Sequence, residues 1–166
     1  MTTTNNPVII TPEALLDHWQ GHRRLTRRMI EAFPDDKLFT FSIGGMRPFS
    51  ALVMEFLGMS VPTLHGVATG KWVAVEELLH HSNNTVPTTK QDLLQRWDED
   101  TAEIDRLWPQ VPPHRFQEVD KAFGQWEGTG QWILFYIIDN EIHHRGQGYV
   151  YLRSLGIEPP AFYDRS

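Results

Sequence analysis

The segment Trp132-Ile133-Leu134-Phe135-Tyr136-Ile137-Ile138-Asp139-Asn140-Glu141-Ile142-His143-His144-Arg145-Gly146-Gln147 begins apolar and fills with amide, carboxylate and imidazole groups without a break. At helical spacing Ile133, Ile137, Asn140, His144, Gln147 and Tyr151 share one side. A seam that turns from apolar to polar suggests a site sunk into a core, where each unpartnered polar group costs about 1–3 kcal/mol. Asn140 and His144 stand four apart, the spacing with which His-x-x-x-His pairs hold a metal ion. Glu55 supplies a matching group. Its neighbours one turn away are Ala51, Leu52, Gly58 and Met59, so its carboxylate needs a cation, a metal or a strong donor. Glu55, Asn140 and His144 together would hold one divalent ion with open water positions. Such an ion polarises a substrate or acidifies a bound water or thiol. A metal-free Glu55–His144 pair, structural or acting as a general base, meets the same constraints. So does a non-catalytic helical binding or dimerisation module that retains the polar core as a remnant.

Other candidates surround this set. His22 and Thr26 interrupt the apolar seam Leu15, Trp19, Met29 and Phe33, which suggests His22 as a catalytic assistant and Thr26 as part of the cavity wall. Tyr136, Gln147 and Tyr151 are further lining candidates on the last helix. Glu141 lies three before His144 and could reach a metal, but at the seam's edge an i,i+4 pair with Arg145 is simpler. The run Arg23-Arg24-Leu25-Thr26-Arg27-Arg28 reads as a solvated face with local ion pairs. His80-His81 reads as a surface loop pair. Gly146 and Gly148 inside a helix imply close helix approach, for which a dimer seam is one setting. No glycine pattern matches a phosphate or dinucleotide loop, and Phe49-Ser50-Ala51 is no nucleophile elbow.

Four helices must position these groups. Thr11 caps a helix over about 12–33 with Pro12 at its first position, and Phe33-Pro34-Asp35-Asp36 stops it. A second helix begins near Pro48 and carries Glu55. Pro62 cannot bond to the Gly58 carbonyl and predicts a kink or break over 58–62. A third runs about 89–108 after the capping-box spacing Thr88 to Gln91 and ends at Pro109. A fourth runs about 130–155 and closes with Gly156, Ile157 and Pro159-Pro160, a Schellman stop. Residues 116–127 suggest a short hairpin or extended crossover. The fold class is all-α: one domain over 1–166, a four-helix bundle, with residues 1–8 a loose tail.

The 166 residues suffice for one core, and 40% hydrophobic with 22% charged residues is ordinary for a globule. A formal charge of −6 argues against nucleic acid as the main partner. The first six residues show no secretory signal, and the longest unbroken apolar run, Trp132–Ile138, is too short to span a bilayer. Without cysteine there is no thiolate site and no disulfide, so a cytoplasmic setting is the simple expectation. Asn83-Asn84-Thr85 matches a glycosylation acceptor, which has no consequence in a protein that is not secreted.

The stretch Asp139-Asn140-Glu141-Ile142-His143-His144-Arg145-Gly146-Gln147, continuing through Tyr151-Leu152-Arg153 and Gly156-Ile157-Glu158-Pro159-Pro160, resembles the end of the DinB/YfiT-like metalloenzyme superfamily. Met46-Arg47-Pro48-Phe49-Ser50 and the Glu55 helix resemble its second helix, and the Phe33–Leu38 corner also fits. The resemblance implies a down-up-up-down four-helix bundle, commonly a homodimer, and a divalent metal held by three histidines. It also implies a small-molecule substrate and thiol-dependent transferase or isomerase chemistry, with bacillithiol or mycothiol as the thiol. Here Glu55 and Asn140 stand at two of the three ligand positions and only His144 is retained. That harder set favours Mg²⁺, Mn²⁺ or Fe²⁺, or Ni²⁺ or Zn²⁺ held weakly with waters. A hydrolase or transferase dependent on that metal is the activity such a set would support.

Overall fold

The computed structural model describes residues 8–81 and 86–166. The expected tail therefore lies mostly outside the described residues, as does the Asn83-Asn84-Thr85 acceptor. Among the described residues are five helices and one two-stranded antiparallel sheet. Helix α1 spans Pro12–Ala32; Thr11 Oγ1 accepts from the Ala14 amide at 3.2 Å. Pro34 ends it as expected, but Asp35 and Asp36 do more than stop a helix. They form the first turn of a short α2, Asp35–Thr40, where carboxylates suit the positive end of the helix dipole.

Helix α3 spans Phe49–Thr69, so of the kink or break expected over 58–62 the break does not occur. Pro62 removes one hydrogen bond at a cost of about 3 kcal/mol. That loss is outweighed because both halves of α3 are packed: Leu57 and Ser60 before the proline, Thr63, Leu64 and Val67 after it, are all buried. By length and composition α3 could cross a bilayer, but 61% of that window is buried inside the protein. Its apolarity is that of a core helix.

Helix α4 spans Lys90–Leu107, capped by Thr89 rather than Thr88, with the Asp92 amide 3.1 Å from Thr89 Oγ1. Strands β1 (Val119–Ala122) and β2 (Trp126–Thr129) form the expected hairpin, with Val119 opposite Thr129 and Ala122 opposite Trp126. Its tip holds Phe123 at φ 53, a left-handed conformation unusual for a bulky residue. The buried Phe123 ring packs edge-on to Trp72, with centroids 5.2 Å apart, and this burial holds the turn.

Helix α5 spans Gly130–Ser154 and ends in the expected Schellman pattern, the Ile157 amide bonding the Leu152 carbonyl at 2.9 Å and Gly156 at φ 74. Of the two helical glycines, Gly148 marks a close approach and Gly146 does not. A Cβ at 148 would stand 2.5 Å from the Phe49 ring, whereas one at 146 would meet nothing within 4 Å. Gly148→Ala is expected to lower the unfolding free energy by about 1–3 kcal/mol in urea titration. A change under about 0.5 kcal/mol would show that Phe49 yields freely.

Each of α1 and α3 packs against both α4 and α5. The long helices bury two apolar clusters. One gathers Leu15, Trp19, Leu64, Ile104, Leu134 and Ile138; the other gathers Met29, Phe33, Phe49, Leu52, Trp97 and Leu152. Along every long helix a polar stretch separates the two: Gln20 to Thr26 on α1, Ser60 and Thr63 on α3, Asp100 and Thr101 on α4, and Asn140 to Arg145 on α5. Of the candidate residues, His22, Thr26, Asn140 and His144 lie in this layer.

Candidate functional site

Helix α3 brings Glu55 to the polar stretch of α5, and the two elements converge on its carboxylate. Oε1 accepts from Asn140 Nδ2 at 3.0 Å and lies 3.3 Å from His144 Nε2. Oε2 pairs with the Arg47 guanidinium at 2.6 Å. Burial alone would raise the Glu55 pKa, but the Asn140 and Arg47 hydrogen bonds, with the charges of Arg47 and His144, outweigh it and hold the group below its ordinary value. Glu55 is thus a fixed anion at neutral pH. His144 stacks on Phe56, and its Nδ1 is buried with no hydrogen-bond partner.

Glu55 and Asn140 open onto a cavity of about 150 Å³ between α3, α5, the hairpin and the chain after α3. Met59, Val75, Leu78, Ile133 and Ile137 supply aliphatic walls, and Phe123, Trp126, Trp132 and Tyr136 supply rings. His80 and His81 close one side. Their expected place as a surface loop pair is therefore corrected for His80, which is half-buried. It rests over Gly58, where a Cβ would approach its Nδ1 to 2.3 Å. The bare backbone at Gly58 makes the seat, and this was the one available hint in the sequence. Arg47, the other participant not foreseen, lies in the loop just ahead of α3.

The remaining candidates are dispersed. Tyr136 lines the cavity. Tyr151 is wholly buried in the second apolar cluster and its hydroxyl donates to the Arg47 carbonyl at 3.0 Å, so it fixes the segment that carries Arg47 rather than a cavity wall. Gln147 is half-buried farther along α5 and does not line the cavity. His22 and Thr26 join a separate buried cluster. Thr26 Oγ1 donates to Glu141 Oε1 at 2.5 Å, and Arg145 reaches Thr26 Oγ1 at 3.1 Å and His22 Nδ1 at 2.8 Å. Glu141 does pair with Arg145, at 3.7 Å, but it is 2% exposed and not at an edge. Nearby, Arg23 is wholly buried, paired with Asp100 at 2.8 Å and laid 3.8 Å over the Trp97 ring. The expected solvated arginine face thus holds for Arg27, which pairs with Asp98, and fails for Arg23. Arg23 follows Trp19 by four and precedes Ile30 by seven, which places it on the inward stripe of α1.

These residues do not fit a resident metal ion. Among the described residues no three His, Cys, Asp or Glu side chains converge to hold one. The Glu55 set offers one carboxylate, one imidazole and one amide, and Arg47 already neutralises the carboxylate. An imidazole that ligated through Nε2 would carry its proton on Nδ1, where no acceptor awaits it, whereas ligating histidines hold that N–H in a second hydrogen bond.

Within this helical scaffold Glu55 and Asn140 face a small, largely aromatic and aliphatic cavity. The sequence profile of the DinB family matches residues 1–166, and the chain belongs to that family. Solved structures agree in fold. A DinB-like protein from Bacillus cereus superposes with TM-score 0.70 at 19% identity, covering 91% of this chain and 97% of that one. The DinB-like YjoA from Bacillus subtilis gives 0.71 at 20% identity, covering 92% and 99%. A variant of mycothiol-dependent maleylpyruvate isomerase gives 0.64 at 14% identity, covering 88% of this chain and 68% of that one. No curated protein matches the sequence.

Proposed function

We propose that the chain is a ligand-binding protein of the DinB family whose cavity holds a small organic molecule beside the Glu55 carboxylate, ionised at neutral pH, without a resident metal. The observation that carries this reading is the convergence of Arg47, Asn140 and His144 on Glu55, among the described residues the one carboxylate that lines the cavity. Because these neighbours favour the charged form, Glu55 is a weak base, and its charge is shared with Arg47. His144 completes the set and Asn140 orients the carboxylate. The packing of α1 and α3 against both α4 and α5 supports a down-up-up-down bundle. The exposed apolar residues Trp132, Tyr136 and Val150 on α5 support a homodimer, and the lack of cysteine suits a cytoplasmic setting. A thiol co-substrate belongs to this reading only as a ligand of the same cavity.

Two measurements test the proposal. In a fragment screen by nuclear magnetic resonance, small organic molecules of any charge are expected to shift resonances of residues around Glu55, His80 and the hairpin. A screen whose hits all fall elsewhere would end the proposal. Elemental analysis of protein purified without chelator is expected to show far less than one equivalent of divalent metal. One equivalent in the native protein, lost in both Glu55→Ala and His144→Ala, would replace this reading with a metal centre built on Glu55, Asn140 and His144.

A further inference from the structure

Glu55 is provided for before any ligand arrives. Oε1 has Asn140 Nδ2 and the His144 ring beside it, and Oε2 has the Arg47 guanidinium. A carboxylate so paired has little charge left to draw a second cation, which must shed its own water to come near. An anion gains nothing either. Among the described lining residues Glu55 is the one carboxylate, and none is a lysine or an arginine. Burial, then the neighbouring His81, holds His80 below the ordinary imidazole value, so that ring brings no charge at neutral pH. The lining thus offers a charged ligand no partner of its own.

It does offer surface to an uncharged ring. Met59, Ile133 and Ile137 are aliphatic, and Trp126, Trp132 and Tyr136 are aromatic and about half exposed, at 49%, 51% and 52%. Trp132 and Tyr136 stack with centroids 5.9 Å apart, so they present a continuous ring surface. Large rings left open to water gain from an apolar cover, and flat aromatic bodies cover them well. The cavity measures about 150 Å³. An apolar space of about that size admits a benzene-sized molecule.

Arg47 is not among the lining residues. About half of its side chain is exposed, and its carbonyl is held by the Tyr151 hydroxyl at 3.0 Å. It therefore acts on a ligand only through Glu55. Without its guanidinium the carboxylate keeps Asn140 and His144 but loses its cation, and an unshared negative charge faces the cavity.

We propose that the cavity takes an uncharged molecule built on a single aromatic ring, and that Arg47, from outside the lining, sets this preference by sharing the Glu55 charge. The ligand class rests on the reading of the cavity as a small-molecule site beside Glu55.

Two pairs of near-isosteres separate charge from shape: benzamide with benzoate, and benzyl alcohol with benzylamine. Each is titrated at neutral pH into the native protein, Arg47→Met and Trp126→Leu, with Kd read from resonance shifts around the cavity. In the native protein each neutral member is expected to bind about tenfold more tightly than its charged partner. In Arg47→Met the affinity of benzylamine relative to benzyl alcohol is expected to rise about tenfold, while benzoate falls further behind benzamide. Trp126→Leu is expected to weaken both neutral members about threefold. Equal or tighter native binding of either charged member overturns the ligand class and leaves the small-molecule site standing. An unchanged benzylamine ratio in Arg47→Met overturns the role given to Arg47. Should that variant fail to fold, Arg47→Gln, which keeps a donor without the charge, is held to the same ratio. If none of the four ligands enters the cavity, the underlying reading fails with the proposal.

Discussion

Replacement of Arg23 by Met is expected to lower the unfolding free energy by about 3–5 kcal/mol, the usual penalty for stranding one half of a buried ion pair. Arg23 is wholly buried and Asp100 nearly so, their contact being 2.8 Å. Thr101 Oγ1 accepts from Arg23 Nε at 2.8 Å, and Ser60 donates to Asp100 at 2.6 Å. Burial already pushes the Asp100 carboxyl above its ordinary value, against the pull of Arg23 and Ser60. Without the guanidinium only the Ser60 hydrogen bond supports its charge, and the carboxyl takes up a proton or draws in water. The double variant Arg23→Met with Asp100→Leu is expected to recover much of the loss, since a buried pair exchanged for apolar groups is often neutral. Urea titration measures both. A loss below about 1 kcal/mol for Arg23→Met would place this pair with exposed ion pairs and remove the polar layer from the forces that hold the fold.

A second large effect is expected on acidification. His22 is buried, with Arg145 directed at its Nδ1, and burial first, Arg145 second, lower its pKa from 6.5 to about 3. The unfolded chain binds a proton on His22 at a higher pH than the folded chain does. Stability is therefore present above 6.5 and is lost progressively as pH falls towards about 3. Glu141 and Asp100 have pKa values raised by burial and act in the opposite sense: their contribution improves as pH falls. They are common to the native protein and to His22→Asn, so the difference between the two isolates the imidazole. Urea midpoints followed from neutral to acid pH are expected to fall more steeply for the native protein. Parallel curves for the two would mean that His22 accepts its proton in the folded state.

The helices were legible because local chemistry decides their ends. Thr11 caps α1, and Gly156-Ile157 closes α5 as the residue types require. Pro62 misled because its local penalty is small beside the packing of a helix buried on both sides of it. Asp35 and Asp36 misled because the residues that stop one helix also suit the start of another. Glu55, Asn140 and His144 could be paired from sequence because each is a polar group on an otherwise apolar helix face. Arg47 and His80 could not, since loops carry them and no periodicity fixes where a loop returns. Arg23 was hidden by the company of Arg24, Arg27 and Arg28, although its phase against Trp19 and Ile30 pointed inward.

Glu55 stands on a core helix, while Phe123 and Trp126 stand on a short hairpin outside the long helices. Phe123 belongs to the first apolar cluster, so a change there disturbs the scaffold as well as the cavity wall, whereas half-exposed Trp126 belongs to neither cluster. Under the proposed function, substitutions at Trp126 would retune which molecules are accepted while the two clusters go on supporting the fold. Recognition and folding would then be separable at that position, and the range of ligands could drift without a change of architecture.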